Sequence, residues 1–183
     1  MTSRERIAAA CAHAEPDRLP VDFGGGFQTG VHVSMVYALR QALGLDPPGA
    51  PVKVVEPYQM LGEIAPDLAC RLGVDTVSLH GTGTMFGFPQ TDFKEWRLED
   101  GTPVLVPADF NTAYEPGGEL RQWPENDRRV PPSAVMPAGG HFFDAVIRQE
   151  PIDDARLDPA DNTEEFALLD EAELRHYGAL AER

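Results

Sequence analysis

The opening stretch constrains the chain most, because residues 2–34 string a capped helix, two proline stops and three consecutive glycines into one unit. Thr2-Ser3-Arg4-Glu5 has the S/T-x-x-E form of a capping box, in which hydroxyl and carboxylate satisfy orphan amides at a helix start. Ile7, Ala10, Cys11 and Ala14 follow at helical spacing and predict one narrow apolar face. Pro16 and Pro20 end that helix and bracket Arg18. Val21-Asp22-Phe23 is then short enough to be a strand, and it runs into Gly24-Gly25-Gly26. A glycine triplet permits positive φ and a close approach of backbone to a ligand or another strand.

Further along, Val33, Val36, Leu39 and Leu43 describe an amphipathic helix ended by a left-handed Gly44. The proline-rich loop Asp46-Pro47-Pro48-Gly49-Ala50-Pro51 leads to a short strand over 52–55. Residues 58–72 carry Met60, Leu61, Ile64, Leu68 and Leu72 on one helical face, with Pro66 splitting the run into two helices and Gly73 closing the second. Residues 75–80 alternate like a strand before Gly81-Thr82-Gly83. Helix, strand and glycine turn in succession form the unit from which parallel α/β barrels are assembled. Barrel active sites lie at the C-terminal ends of strands, so 24–28 and 80–84 are expected to line a ligand mouth.

From Phe86 the character changes. Asp100-Gly101 between the β-prone runs 93–98 and 102–106 predicts a hairpin, and Pro116-Gly117-Gly118 between 110–114 and 119–123 predicts a second. The expected organisation is therefore 1–85 as a first helix with barrel β/α units, 86–137 as a hairpin insertion, and 138–183 as a return segment ending in a helix over 169–182.

Composition excludes several classes. Thirty acidic against fifteen basic residues give a net charge of −15, a field that repels nucleic-acid phosphates. The acidity concentrates over 150–173 and reads as a solvated linker and helix face. No stretch reaches the roughly 20 apolar residues of a membrane span, and no secretory leader is evident, so a cytoplasmic location is expected. Cys11 and Cys70 lie in predicted helices and read as buried, inert thiols rather than a disulfide.

His80, before a glycine turn at a predicted strand end, is the best-placed acid, base or hydrogen-bond donor, because histidine titrates near neutral pH. His32 follows the first glycine turn and is the second catalytic candidate; its bland alternative is a helix-start residue holding the loop. Gly24, Gly25, Gly26, Gln28, Thr82 and His141 are the candidate substrate-binding positions, with Thr29, Gln59 and Gln149 as further hydrogen-bonding groups. Asp22, Asp75 and Asp144 sit at predicted junctions and read as caps or loop anchors; Phe142 and Phe143 read as a packed anchor beside His141. Five histidines and two cysteines show none of the C-x-x-C or H-x-x-x-H spacings that place ligands together, so no metal site is expected within the chain.

The 2–34 segment, Tyr58-Gln59-Met60-Leu61, Arg71-Leu72-Gly73-Val74-Asp75 and above all 136–149, MPAGGHFFDAVIRQ, resemble the uroporphyrinogen decarboxylase-like superfamily. That superfamily comprises the uroporphyrinogen decarboxylases of tetrapyrrole synthesis and the zinc-dependent, corrinoid-linked methyltransferases. The resemblance runs through essentially the whole chain and implies the N-terminal part of a (β/α)8 TIM-type barrel, an α/β fold. Such a barrel takes about 250 residues. A chain of 183 that spends many on hairpins is then expected to share its barrel with a second chain or a homo-oligomeric partner, or to be a fragment.

Two branches are distinguished by their motifs. In the decarboxylases the first strand leads into an arginine-bearing M-R-Q-A-G-R-Y and the second ends in F-S-D; here the matching positions read Phe23-Gly24-Gly25-Gly26-Phe27 and His80-Gly81-Thr82. Without those arginines a polycarboxylate substrate would leave charge unpaired, at a cost of several kcal/mol for each buried carboxylate. The resemblance thus implies the corrinoid methyltransferase type acting on a small-molecule substrate. Its zinc motif, His-x-Cys with a further cysteine, belongs to the C-terminal half, so zinc and a corrinoid protein partner are implied for the complete enzyme only. The alternative reading is a non-catalytic binding or assembly subunit, or a truncated inactive fragment.

Overall fold

Two small β-sheets joined through a shared apolar core organise the molecule, seen in a computed structural model that describes residues 1–147, 151, 153–158 and 168–182. Gln149 and part of the acidic run, including Glu150, Asp161, Glu164 and Glu165, lie outside the described residues. Helix α1, Ser3–Cys11, starts at the expected capping box: the Thr2 hydroxyl accepts from the Glu5 N–H, and the Glu5 carboxylate accepts from the Thr2 N–H. Its buried residue is not on the expected apolar face. Arg6 is buried, whereas Cys11 and Ala14 are exposed.

Arg6 explains that inversion. Its guanidinium donates to Asp17 and Asp75, and Arg18 donates to Asp75 from the other side. Asp75 also accepts from the Ser3 hydroxyl and the Val21 N–H, so α1 is tied down by a charged hub instead of a greasy stripe. Burial pushes the Asp75 carboxyl up, but Val21, Ser3, Arg18 and Arg6 outweigh it and hold the group far below the usual carboxylate range.

Helix α2, Val33–Ala42, buries Val33 and Val36 and ends before Gly44 at φ 65°, as the spacing predicts. Strand β1, Val52–Glu56, buries Val52, Val54 and Val55. The chain then reverses. The expected helix over Tyr58-Gln59-Met60-Leu61 is a turn followed by strand β2, Leu61–Gly62, antiparallel to β1. The Glu56 carboxylate captures the Tyr58 N–H and Met60 takes φ 53°, which turns the backbone back at a point where helical spacing of apolar residues suggests continuation. After it, α3, Pro66–Leu72, has proline in its first turn and a left-handed Gly73 cap.

The two remaining strands of this sheet are the first predicted hairpin, β3, Phe93–Arg97, and β4, Pro103–Pro107, in register from Phe93↔Pro107 to Arg97↔Pro103. The hairpin does not stand apart. β4 pairs parallel with β1 through Val52↔Val104 and Lys53↔Leu105, giving the order β2-β1-β4-β3. Val104 and Val106 of β4 then pack with Val33, Val36 and Val54 in the core.

The second sheet is wholly antiparallel: β5, Ala113–Tyr114; β6, Leu120–Gln122; β7, Ala134–Met136; and β8, Asp144–Ala145, in chain order. Its first pair is the second predicted hairpin. Phe143, fully buried, joins the sheets: its ring meets Phe86 at 5.4 Å and Phe110 at 6.2 Å, both edge to face, and its N–H donates to the Tyr58 carbonyl. Phe142 beside it is 57% exposed, so only one of the expected anchor pair is packed. A final helix α4, Glu171–Ala181, carries its own capping box at Asp170 and Glu173.

Two further sequence expectations fail in informative ways. Residues 21–23 and 75–80 are extended but form no strand, because a ladder needs repeated backbone pairs and only the Asp75 N–H to Val21 carbonyl bond is made. Local side-chain bonds replace the ladder: Asp22 accepts from the Gly25 N–H and from the Thr29 and Thr76 hydroxyls. The sheets are open, and no closed barrel exists among the described residues. Finally, Cys11 and Cys70 are both exposed free thiols, not buried ones.

Candidate functional site

Two cavities collect the candidate residues, and no residue lines both. The larger, about 460 Å³, lies beside the two extended segments. Phe23 and Gly24 from the first segment, Ser78 and His80 from the second, and Lys53 of β1 line it. Gly24, at φ 82°, has Ile64 where a Cβ would stand, so a side chain there would collide with the wall. His80 is half-buried; its Nδ1 lies 3.2 Å from the Ser78 hydroxyl, and burial lowers its pKa, with Lys53 adding to the effect and Glu63 opposing it. The ring is thereby held in its neutral form.

Helix α4 closes one side of this cavity with His176, Ala179 and Leu180. The His176 Nε2 donates to the His80 carbonyl at 2.8 Å, which fixes the His176 tautomer. Lys53 stands 3.7 Å from Glu63, and no arginine among the described residues lines the cavity. The Lys53 ammonium is thus already opposed by a carboxylate.

The smaller cavity, about 270 Å³, holds His32 and His141. Their rings meet edge to face with centroids 5.2 Å apart. His32 caps α2: its Nδ1 accepts from the Ser34 N–H and lies 2.8 Å from the Ser34 hydroxyl, so the helix-start role coexists with a position in the cavity wall. Burial lowers the His32 pKa, and the His141 charge adds to this against the opposing pull of the His141 backbone and Asp100. Met60, Leu120 and Met136 form a buried apolar floor, and Trp96 and Tyr114 stand as the aromatic wall.

The remaining candidates fall outside these walls. Gly25 packs against Asp22 and Thr76, so its missing side chain serves loop closure; Gly26 has only the Gln28 side chain near it. Gln28 and Thr82 are exposed. Thr29 donates to Asp22, and the Gln59 Oε1 is buried without a partner among the described residues. Asp22 and Asp75 are loop anchors, as expected, whereas Asp144 sits exposed on β8.

Sequence reasoning missed Glu56, His176 and the aromatic wall. Glu56 is 1% exposed with no cation beside it; burial raises its pKa while the Met85 and Tyr58 N–H groups, donating to its two oxygens, oppose the rise. A charge closing the apolar run Val52-Lys53-Val54-Val55 was the available signal. His176 and Trp96 had none, because each reaches its cavity through a long-range contact. Among the described residues no three His, Cys, Asp or Glu side chains are placed to hold a metal ion. No helix among them is long and apolar enough to cross a membrane.

Fold and site together define a mixed α/β protein with two open sheets and two separate cavities. Comparison with protein-family models, with curated proteins and with solved structures returned no match.

Proposed function

We propose that the chain forms the N-terminal part of a uroporphyrinogen decarboxylase-like barrel enzyme of the cytoplasm, of the corrinoid-linked methyltransferase type. One observation carries the reading. The 21–24 and 75–81 segments start side by side, with Asp75 bonded to Val21 and Thr76 to Asp22, so the partners advance in the same direction along both segments. Both then run to glycine turns at the larger cavity. Adjacent parallel segments ending at one mouth are what two neighbouring barrel strands require. Exposed Val77 and Leu79 on the second segment supply apolar surface for further strands to cover.

The cavity chemistry favours the methyltransferase type over the decarboxylase. With Lys53 opposed by Glu63 and no arginine among the described residues of the wall, a polycarboxylate finds no free counter-charge among them. The chain's contribution is a pocket wall: Gly24 makes room for Ile64 in that wall, and His80, whose pKa burial lowers, accepts or donates one hydrogen bond to a polar substrate. Zinc and the corrinoid protein are assigned to the rest of the barrel and to its partner.

The test is complementation. The purified chain is expected to bind no stoichiometric zinc and to transfer no methyl group from methylcob(III)alamin to a thiol; co-expressed with the polypeptide encoded immediately downstream, it should elute as one complex with that activity. Stoichiometric zinc in the isolated chain would overturn the reading. Two independently eluting species would instead favour the second reading, a non-catalytic assembly subunit, which the exposure of Val77 and Leu79 also supports.

A further inference from the structure

The smaller cavity lies apart from the proposed barrel mouth, and its walls have a chemistry of their own. Trp96 on β3 and Tyr114 on β5 are stacked, with centroids 6.2 Å apart and planes 7° from each other, so that an aromatic pair contributed by both sheets lines the cavity. Trp96 is locked in that orientation by Phe110, whose ring meets it edge to face at 5.4 Å. Aromatic faces are the negative part of the ring quadrupole.

At the rim stand Glu99 and Asp100, from the turn that joins β3 to β4. Asp100 uses Oδ1 to accept the Thr102 N–H at 2.8 Å, which fixes the carboxylate in the turn. The nearby Arg97 donates to the Gly101 carbonyl and does not line the cavity. Among the described residues no lysine or arginine lines it, and burial lowers the His32 pKa. The same two carboxylates act on Tyr114: burial raises its hydroxyl pKa first, and the charges of Glu99 and Asp100 raise it further.

We propose that this cavity binds a small organic ammonium ion, its charge held between the Trp96 and Tyr114 faces and the Glu99 and Asp100 carboxylates, its apolar body resting on Met60, Leu120 and Met136. An anion meets two negative carboxylates at the rim, and among the described residues no lysine or arginine of the lining offsets them. A metal ion lacks three suitably placed ligands among the described residues. A wholly apolar ligand would fill the floor and leave the rim without a partner. Aromatic faces attract cations within about 6 Å of the ring centroid. A volume of about 270 Å³ suits a small ligand rather than a drug-sized one. The inference does not depend on the barrel reading, because the two cavities share no wall residue.

Calorimetric titration of the 183-residue chain with choline, and with its neutral isostere 3,3-dimethylbutan-1-ol, tests this directly. Saturable choline binding at least about tenfold tighter than that of the alcohol is expected from the charge term. The double variant Glu99→Gln, Asp100→Asn keeps side-chain size and the acceptor for Thr102, and should weaken choline about tenfold without changing the thermal midpoint appreciably. Tyr114→Leu should weaken choline at least about threefold and leave the alcohol unaffected. Equal affinity for the two probes, no saturable choline binding, or an unchanged constant in the double variant would each overturn the proposal.

Discussion

Replacing Phe143 by alanine tests whether one side chain couples the two sheets. Phe143 is fully buried and touches Phe86, which belongs to the loop after the 75–80 segment, and Phe110, which follows β4. Its removal takes away an aromatic payload from a junction whose other walls are held by separate sheets, so collapse onto the space is restricted. Buried Phe→Ala changes of this kind cost about 3–5 kcal/mol. Against a total stability of about 5–15 kcal/mol, that is a large share. For a chain of this length it corresponds to a fall in Tm of roughly 6–20 °C.

The neighbouring Phe142→Ala serves as the internal control. At 57% exposed it has little to lose, and a change within about 0.5 kcal/mol is expected. Urea denaturation followed by tryptophan emission and far-ultraviolet circular dichroism measures both. Trp96 sits in the first sheet and Trp123 directly follows β6 of the second, so emission reports on both sheets. A loss below about 1 kcal/mol for Phe143→Ala, or equal losses at the two positions, would refute the coupling.

Three further outcomes are expected. Gly62→Ala should cost about 1–3 kcal/mol with an unchanged denaturant slope, because a Cβ there meets the Val36 side chain at 2.9 Å and the Val33 backbone at 3.0 Å; a urea midpoint equal to that of the parent would contradict this packing. Burial depresses the pKa of both His32 and His80 below 6.5, so the unfolded chain binds protons first: stability should be full above about pH 6.5 and fall as pH drops through the folded values. A flat urea midpoint between about pH 7.5 and 5, or a slope unchanged by the paired His→Asn variants, would exclude that linkage. Asp75→Asn should lower Tm by several degrees and remove part of the acid sensitivity below the ordinary carboxylate range, since Asp75 is stabilised as an anion; Asp144→Asn, at an exposed site, should leave the scan unchanged.

What the sequence discloses is local. The capping box of α1, the Gly44 and Gly73 helix ends, the Asp100-Gly101 and Gly117-Gly118 hairpins and the start of α4 are each encoded within a few residues, and each is found. Pairings across long separations are not encoded that way. Nothing near Val104 announces that β4 lies parallel to β1, and of the short strands β7 forms against β6 and β8 against β7. The 58–61 reversal shows the same limit from the other side: Met60, Leu61 and Ile64 have helical spacing, yet Glu56 and a positive φ at Met60 turn the chain instead.

The site divides along the same line. His32, His80 and His141 stand out by residue type and neighbouring glycines, but only the fold shows that His32 pairs with His141 and that His80 lies in another cavity. β1 and its reversal account for the partition: Lys53 and Val55 face the larger cavity, while Met60 lies under the smaller one. Glu56 stands between these positions and bonds both the reversal at Tyr58 and the loop at Met85. Its carboxylate thus holds the divider through two backbone donors, with no cation paired to it among the described residues. A direct proton relay from His32 to His80 would have to pass strand β1, where Val54 is fully buried. Within its own cavity, His80 has the Ser78 hydroxyl bonded to its ring.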